Sequence, residues 1–284
     1  MTNPKALLDQ FEIAPRKTLG QNFLHDPNAL EKIATTAEIM PQDTVIEIGP
    51  GTGTLTEVLA HHARHVFAIE IDERMRPILE RQFADSDKVH LVFEDFLKVD
   101  VLQLVGARDF VVVANVPYYI TSDIIHHLLH RHRRPRRLVL TIQYEVAERI
   151  VATPPDMNRL AVSVQYYGKP EIVTRLKPAA FWPRPEVDSA VIKIDVYDTP
   201  VVDVPGDELF FRVVRAGFSQ KRKQLKNAIS GGLAMKSAAA TELLEQVGID
   251  PKRRAETLTL EEWAALTRSY AAENGGGRRS DESL

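Results

Sequence analysis

Five short apolar runs, separated by helix-like stretches, constrain this chain more than any other feature. TVIEI at 44–48, HVFAIEI at 65–71, VHLVF at 89–93, FVVVA at 110–114 and RLVLTI at 137–142 are rich in β-branched residues and too short for helices. Between them, 54–63, 73–83 and 122–132 carry helical patterns. Asp26-Pro27 supplies an N-cap followed by proline at the first helical position, opening a helix that runs to about 37. Runs this rich in apolar residues, with no polar–apolar alternation, are expected to be buried on both faces. The alternation therefore predicts an α/β fold, a parallel sheet covered by helices on either side. VDSAVIKIDV at 187–196 is β-rich and late, and is expected as an edge strand.

After a Pro-bearing, acidic connector at 197–206, only helical patterns follow, at about 207–218, 221–230, 238–247 and 259–271. The expected organisation is an α/β domain over 1–198, a small all-helical domain over 199–272, and a Gly/Ser-rich disordered tail over 273–284. The 284 residues contain no cysteine, so disulfides, thiolate metal sites and cysteine nucleophiles are excluded within this chain. No apolar run is long enough to span a membrane, and the first twenty residues lack a signal-type apolar core. A cytoplasmic protein with no membrane partner is expected. His126 and His130 stand i, i+4 on one helix, but no acidic third ligand is spaced to join them, so no metal site is expected.

Glu47-Ile48-Gly49-Pro50-Gly51-Thr52-Gly53 sits between the first strand and a helix, where a doubly wound sheet binds its ligand. A dinucleotide site would require G-x-G-x-x-G, but position 54 is Thr. The E-x-G-x-G-x-G spacing resembles the first motif of S-adenosylmethionine (SAM) methyltransferases instead. Glu70 ends the second strand, where a carboxylate can accept both ribose hydroxyls. Asp95 follows the third strand, where an acceptor can take the adenine amino group.

Asn115-Val116-Pro117-Tyr118 follows the fourth strand. An exocyclic amine on a nucleobase is a poor nucleophile because its lone pair is delocalised into the ring. Acceptors that hold its N–H groups around a pyramidal nitrogen restore the lone pair. The Asn115 side-chain oxygen and the Pro117 carbonyl can be those acceptors, and Tyr118 offers a face for an extruded base. Phe181-Trp182, among stiff prolines, either walls a base pocket or plugs a core.

The net charge of −3 conceals local basic clusters. Arg131 to Arg137 holds five arginines, Arg133 and Arg134 among them. Arg212, Arg215, Lys221, Arg222, Lys223 and Lys226 form a second cluster, and Lys252, Arg253 and Arg254 a third. Together they suggest a polyanionic partner.

Taken with Gly20-Gln-Asn-Phe-Leu24, Phe181-x-Pro-x-Pro-x-Val-Asp-Ser189 and Arg254-Ala-Glu-Thr-Leu-Thr-Leu-Glu-Glu-Trp263, these motifs carry a resemblance over nearly the whole chain. The chain resembles the ribosomal RNA adenine N6,N6-dimethyltransferases, in particular their small-subunit, KsgA-type branch. That resemblance implies a Rossmann-like SAM-dependent methyltransferase domain followed by a helical RNA-binding domain. It implies two methyl transfers to each of two adjacent adenosines near the 3′ end of small-subunit ribosomal RNA, within an immature ribosomal particle. Carried over by position, Asn22, Leu24, Gly49, Gly51, Glu70, Asp95 and Asn115 would touch SAM. Asn115, Pro117, Tyr118 and Phe181 would hold the target base, and Arg133, Arg134, Lys221, Arg222 and Lys223 would meet RNA. The chain departs from the usual pattern at Val116, Tyr119, Asn158 and Glu186, which leaves the chemistry intact. A large-subunit enzyme of the macrolide-resistance type, an assembly factor and a small-molecule N-methyltransferase are the competing readings. A monomer is expected.

Overall fold

The computed structural model describes residues 3–106, 108–131 and 133–275. In chain order come α1 (Pro4–Gln10), β1 (Phe23–Leu24), α2 (Pro27–Ala37), β2 (Thr44–Ile48), α3 (Thr54–His62), β3 (His65–Glu70), α4 (Arg76–Gln82) and β4 (Val89–Phe93). Then follow α5 (Val101–Val105), β5 (Phe110–Asn115), α6 (Thr121–Leu129), β6 (Arg137–Gln143), α7 (Tyr144–Val151), α8 (Arg159–Tyr167), β7 (Gly168–Leu176), β8 (Phe181–Trp182) and β9 (Ser189–Val196). Four helices close the chain: α9 (Asp207–Gly217), α10 (Leu225–Gly232), α11 (Ser237–Gln246) and α12 (Leu260–Gly275). Two compact units divide these elements, Met1–Glu148 with Lys169–Tyr197, and Arg149–Gly168 with Asp198–Leu284.

The first unit is built on a seven-stranded sheet in the order β4-β3-β2-β5-β6-β9-β7. The five runs read from the sequence pair in parallel, with β2 between β3 and β5. The chain winds from β2 outward through β3 and β4, then returns to place β5 on the other side of β2. This reversal opens a crevice at the carboxyl ends of the central strands. Register fixes what meets there: Ile48 lies opposite both Ile69 and Ala114, so Gly49, Glu70 and Asn115 all leave the sheet at one end.

The central strands β2, β5 and β6 are buried on both faces, while the edge strand β4 is mostly half-buried. Val45, Val66, Val111, Val113 and Val139 pack with Leu30 and Ile33 of α2 and Leu55 and Leu59 of α3. The alternate residues Ile46, Val112 and Leu140 are fully buried as well. Each such side chain contributes about 1.5–3 kcal/mol. The Asp26 carboxylate accepts from the Ala29 N–H at 2.9 Å and caps α2, with Pro27 at its first turn.

The late β-rich stretch forms β9, antiparallel to β6, but β9 is not an edge, because β7 lies outside it. The polar, Pro-bearing GKPEIVTRL of β7 shows no strand signal strong enough to read locally. Its mostly exposed or half-buried residues suit an edge position that only a paired neighbour creates.

The second unit is helical. It includes α8, which the sequence reading left in the first domain. Stacking explains the difference: the Tyr166 ring lies 4.5 Å from that of Phe210, and the Tyr166 and Tyr167 hydroxyls donate to the two oxygens of Asp207 at 2.8 and 2.7 Å. Trp263 is fully buried against Gly217, where an added Cβ would stand 2.3 Å from the indole. Thr259 and Glu262 cap α12 reciprocally, each side chain accepting the other's backbone N–H. The helix expected from 221 begins at Leu225, which leaves Lys221, Arg222 and Lys223 on a turn. Residues 273–275, expected as the start of a disordered tail, continue α12; the remainder of that tail lies outside the described residues.

Candidate active site

At the carboxyl ends of β2, β3 and β5 a cavity encloses about 840 Å³ up to its open mouth. Asn22, Gly49, Gly51, Glu70, Asp95, Asn115, Pro117 and Tyr118 all line it. These residues come from points up to nearly a hundred positions apart, and the strand register brings them together.

The glycine loop sets the floor. Gly51 has φ +57, and an added Cβ there would stand 2.8 Å from the Phe23 ring. Gly49 has φ +71, and its missing Cβ leaves space whose nearest atom is the Asn115 carbonyl at 3.9 Å. Only glycine allows both the turn and the open floor.

Glu70 stands at the centre of the polar wall. One carboxylate oxygen accepts from the Gly51 N–H at 2.9 Å and the other from the Asp72 N–H at 2.8 Å. A carboxylate has about four lone-pair positions, so each oxygen retains capacity for a hydroxyl donor. Burial pushes the Glu70 carboxyl upward, and these backbone bonds partly counter it. One oxygen of Asp95 accepts from the Leu97 N–H at 3.1 Å and caps the short turn Phe96–Lys98; the other lies beyond that bond.

Glu47, just before the loop, is buried, and its carboxyl is pushed up to about 8 by that burial. The nearby Thr56 hydroxyl lowers it somewhat and the Glu70 charge raises it.

The Asn115 amide nitrogen donates to the Asn22 carbonyl at 2.7 Å, which leaves the amide oxygen as the free acceptor. The Asn22 side chain turns back to the Gly20 carbonyl at 3.1 Å. The Tyr118 hydroxyl meets Ser189 Oγ at 2.7 Å, tying the aromatic ring to the start of β9; burial raises its pKa, and Ser189 partly offsets this.

Three sequence expectations need correction. Phe181 is 2% exposed; it pairs with Leu24 across the β1–β8 ladder, and both side chains belong to the apolar core rather than to the cavity lining. Neither ring nor aliphatic chain is open to a base or cofactor in this conformation. The Pro117 carbonyl already accepts from the Ile120 N–H at 3.2 Å and, weakly, from the Thr121 hydroxyl at 3.4 Å, so Asn115 is the more available acceptor.

The third concerns the basic clusters. Arg133 donates to the Gly106 and Arg108 carbonyls and Arg134 to the Leu129 carbonyl, closing helix ends, while Arg136 pairs with Asp43 and Arg137 with Asp195. Arg253 is bound to Glu262 and Thr257. By contrast, Arg212, Arg215, Lys221, Arg222 and Lys223 are exposed, and no ion pair is seen for them among the described residues.

Sequence reasoning missed several wall residues. Phe96 and Ile71 line the cavity although nothing in their local pattern marks them, apart from Phe96 following Asp95. The segment before β1 is also held in place. Gln21 donates to the Asp72 carboxylate at 2.9 Å, Arg74 donates to the same carboxylate, and Arg74 also reaches the Ala14 carbonyl at 3.0 Å. Burial alone would raise the Asp72 carboxyl; Arg74 and Gln21 hold it below the usual range.

The donor set fits SAM. Glu70 provides acceptors for two vicinal hydroxyls, Asp95 an acceptor for an adenine amine, Ile71 and Phe96 apolar walls, and the glycines an open floor.

Comparison with known proteins agrees with this geometry. The description of the ribosomal RNA adenine dimethylase family matches residues 14–271. The chain is 45% identical over 275 residues to the ribosomal RNA small subunit methyltransferase A of Alkaliphilus metalliredigens (strain QYMF), covering 94% of this chain and 96% of the relative. It is 46% identical over 275 residues to the protein of the same name from Moorella thermoacetica, covering 93% and 95%. Among solved structures, a dimethyladenosine transferase from Plasmodium falciparum superposes with a TM-score of 0.76 at 26% identity, over 89% of this chain and 98% of that one. The 23S rRNA methyltransferase ErmE superposes with a TM-score of 0.71 at 26% identity, over 87% and 99%. With its glycine loop, paired acceptors and Asn115 in one cavity, the chain belongs to the ribosomal RNA adenine dimethylase family, whose methyl donor is S-adenosylmethionine.

Proposed function

We propose that this protein methylates N6 of two adjacent adenosines near the 3′ end of small-subunit ribosomal RNA, giving N6,N6-dimethyladenosines. It acts as a monomer in the cytoplasm, on an immature ribosomal particle. The observation that supports the reading is the Asn115 amide, whose nitrogen is committed to the Asn22 carbonyl and whose oxygen is left as an acceptor, in the same cavity as Glu70. The relatives at 45% and 46% identity support the small-subunit substrate over the large-subunit one, for which the ErmE likeness is weaker, at 26% identity.

SAM, when bound, supplies an electrophilic methyl group on a sulfonium and leaves as a neutral thioether. Glu70 and Asp95 would hold its ribose hydroxyls and adenine amine. The Asn115 oxygen accepts one N–H of the target amine, which pyramidalises the nitrogen and frees its lone pair for attack. The Pro117 carbonyl accepts the second N–H once the Thr121 hydroxyl releases it. Transfer from SAM would exchange the S–CH₃ bond for an N–CH₃ bond, and the resulting cationic nitrogen is acidic enough to lose its proton to water, so no strong general base is required of this chain. The Tyr118 ring, anchored by Ser189, stacks on the extruded base. Lys221, Arg222 and Lys223 meet phosphates on the helical unit. Arg133 and Arg134 add positive potential from anchored positions.

The test uses labelled SAM with unmethylated small-subunit particles, large-subunit RNA and duplex DNA, followed by mass spectrometry of the nucleosides. Dimethyladenosine from small-subunit particles alone is the expected result. Label in large-subunit RNA would move the chain to the resistance branch, and SAM binding without transfer would favour a purely assembly role.

A further inference from the structure

Tyr119 exposes 61% of its surface, the highest fraction among the exposed large apolar side chains of the described residues. The other described tyrosines are buried or half-buried. It stands directly after Tyr118 on the short turn Tyr118–Ile120 and lines the mouth of the same cavity. Gly20 lies beside it: a Cβ placed there would lie 3.5 and 3.6 Å from two ring carbons and 3.4 Å from Pro117 Cβ, within van der Waals contact. Gly20 has φ +59, a backbone conformation that a larger residue adopts only with strain. Most of the Tyr119 side chain faces water. Ile71, 51% exposed, adds a second apolar surface to the same mouth.

An exposed, positioned aromatic ring beside a base-extruding site has a specific use. Extruding a base breaks its stacking with both neighbours, so an adjacent base is left with an uncovered face. Aromatic stacking on such a face tolerates any base and needs no hydrogen-bond partner. We propose that Tyr119 is a second stacking platform, which takes the nucleobase next to the target adenosine while Tyr118 takes the target itself. This inference rests on the proposed RNA methylation at the cavity. Proximity selects the occupant: Tyr119 lines the same cavity as Asn115, Pro117 and Tyr118, so the nucleotide flanking an adenosine bound there is the base nearest to this exposed ring.

The experiment compares wild type, Tyr119→Phe and Tyr119→Ala on unmethylated small-subunit particles. These are rebuilt with ribosomal RNA that is intact or abasic at the nucleotide 5′ or 3′ of one target. Methylation of that target is read by mass spectrometry and SAM affinity by calorimetry. Tyr119→Ala should raise KM for intact particles roughly tenfold, with SAM affinity unchanged and Tyr119→Phe close to wild type. On one of the abasic substrates, wild type should fall to the level of Tyr119→Ala, and the substitution should cost nothing more. An equal cost of Tyr119→Ala on intact and both abasic substrates would overturn the platform, as would a matching loss in Tyr119→Phe. Absence of transfer by wild type to intact particles would instead remove the underlying function, and the platform with it.

Discussion

The Asn115 side chain and the Asn22 carbonyl, 93 residues apart in sequence, are joined by a 2.7 Å hydrogen bond that decides which end of the amide can act on a substrate. With the nitrogen committed to Asn22, the oxygen is the acceptor. Asn115→Ala removes that acceptor and should lower turnover by on the order of 10²–10³ while leaving RNA and SAM binding nearly unchanged. Single-turnover methylation alongside binding titrations checks this, and unchanged turnover would refute the role.

Glu70 offers a second test, because both its oxygens accept backbone N–H groups. In Glu70→Gln one oxygen becomes an NH₂ group and confronts the N–H of Gly51 or Asp72. The loss of a buried acceptor should cost about 1–3 kcal/mol of stability. It should also weaken SAM binding by roughly tenfold or more, because a bond to a charged partner is lost. Calorimetry and thermal melts read the two effects separately. Intact SAM affinity would show that Glu70 serves only the loop.

Glu47 predicts a pH signature. Its buried carboxyl titrates near 8, so the native state keeps a proton that the unfolded chain releases in the ordinary carboxylate range. The unfolded state therefore binds fewer protons across that window. Stability should fall as pH rises from the carboxylate range to about 8, then level off. Glu47→Gln escapes this cost. Its melting temperature should be similar to wild type at low pH and higher above pH 8, by an amount on the order of a few kcal/mol in stability. A difference that stays constant across pH would argue against a protonated Glu47.

The exposed turn before α10 makes the RNA reading testable without touching the cavity. Reversing the charge at Arg222 and Lys223 should weaken particle binding and flatten its salt dependence, with SAM affinity and melting temperature unchanged. The same reversal at Arg253 should instead destabilise the fold, since its partners are Glu262 and Thr257. Filter binding over a salt series and thermal melts distinguish the two.

Local chemistry made much of this protein legible in its sequence. The apolar runs of β2, β3, β5 and β6 needed only their own residues to announce buried parallel strands. The glycines between β2 and α3, Glu70 at the end of β3 and Asn115 at the end of β5 follow from chain order, because parallel strands bring their carboxyl ends together. What depended on distant partners was not legible. β7 is a strand because β9 lies beside it, and α8 belongs with the helices because Tyr166 and Tyr167 find Phe210 and Asp207. Phe181, which its own residues left open between a base-pocket wall and a core plug, lies in the core, because its pairing with Leu24 depends on β1, more than 150 residues earlier in the chain. The arginines of 131–137 looked like a free basic patch and are partly spent on helix ends and carboxylates that only folding brings near. Sequence determines which groups the chain can offer. Tertiary structure decides which of them remain unpaired, because a hydrogen bond or ion pair formed across the fold removes a group from the set available to a ligand.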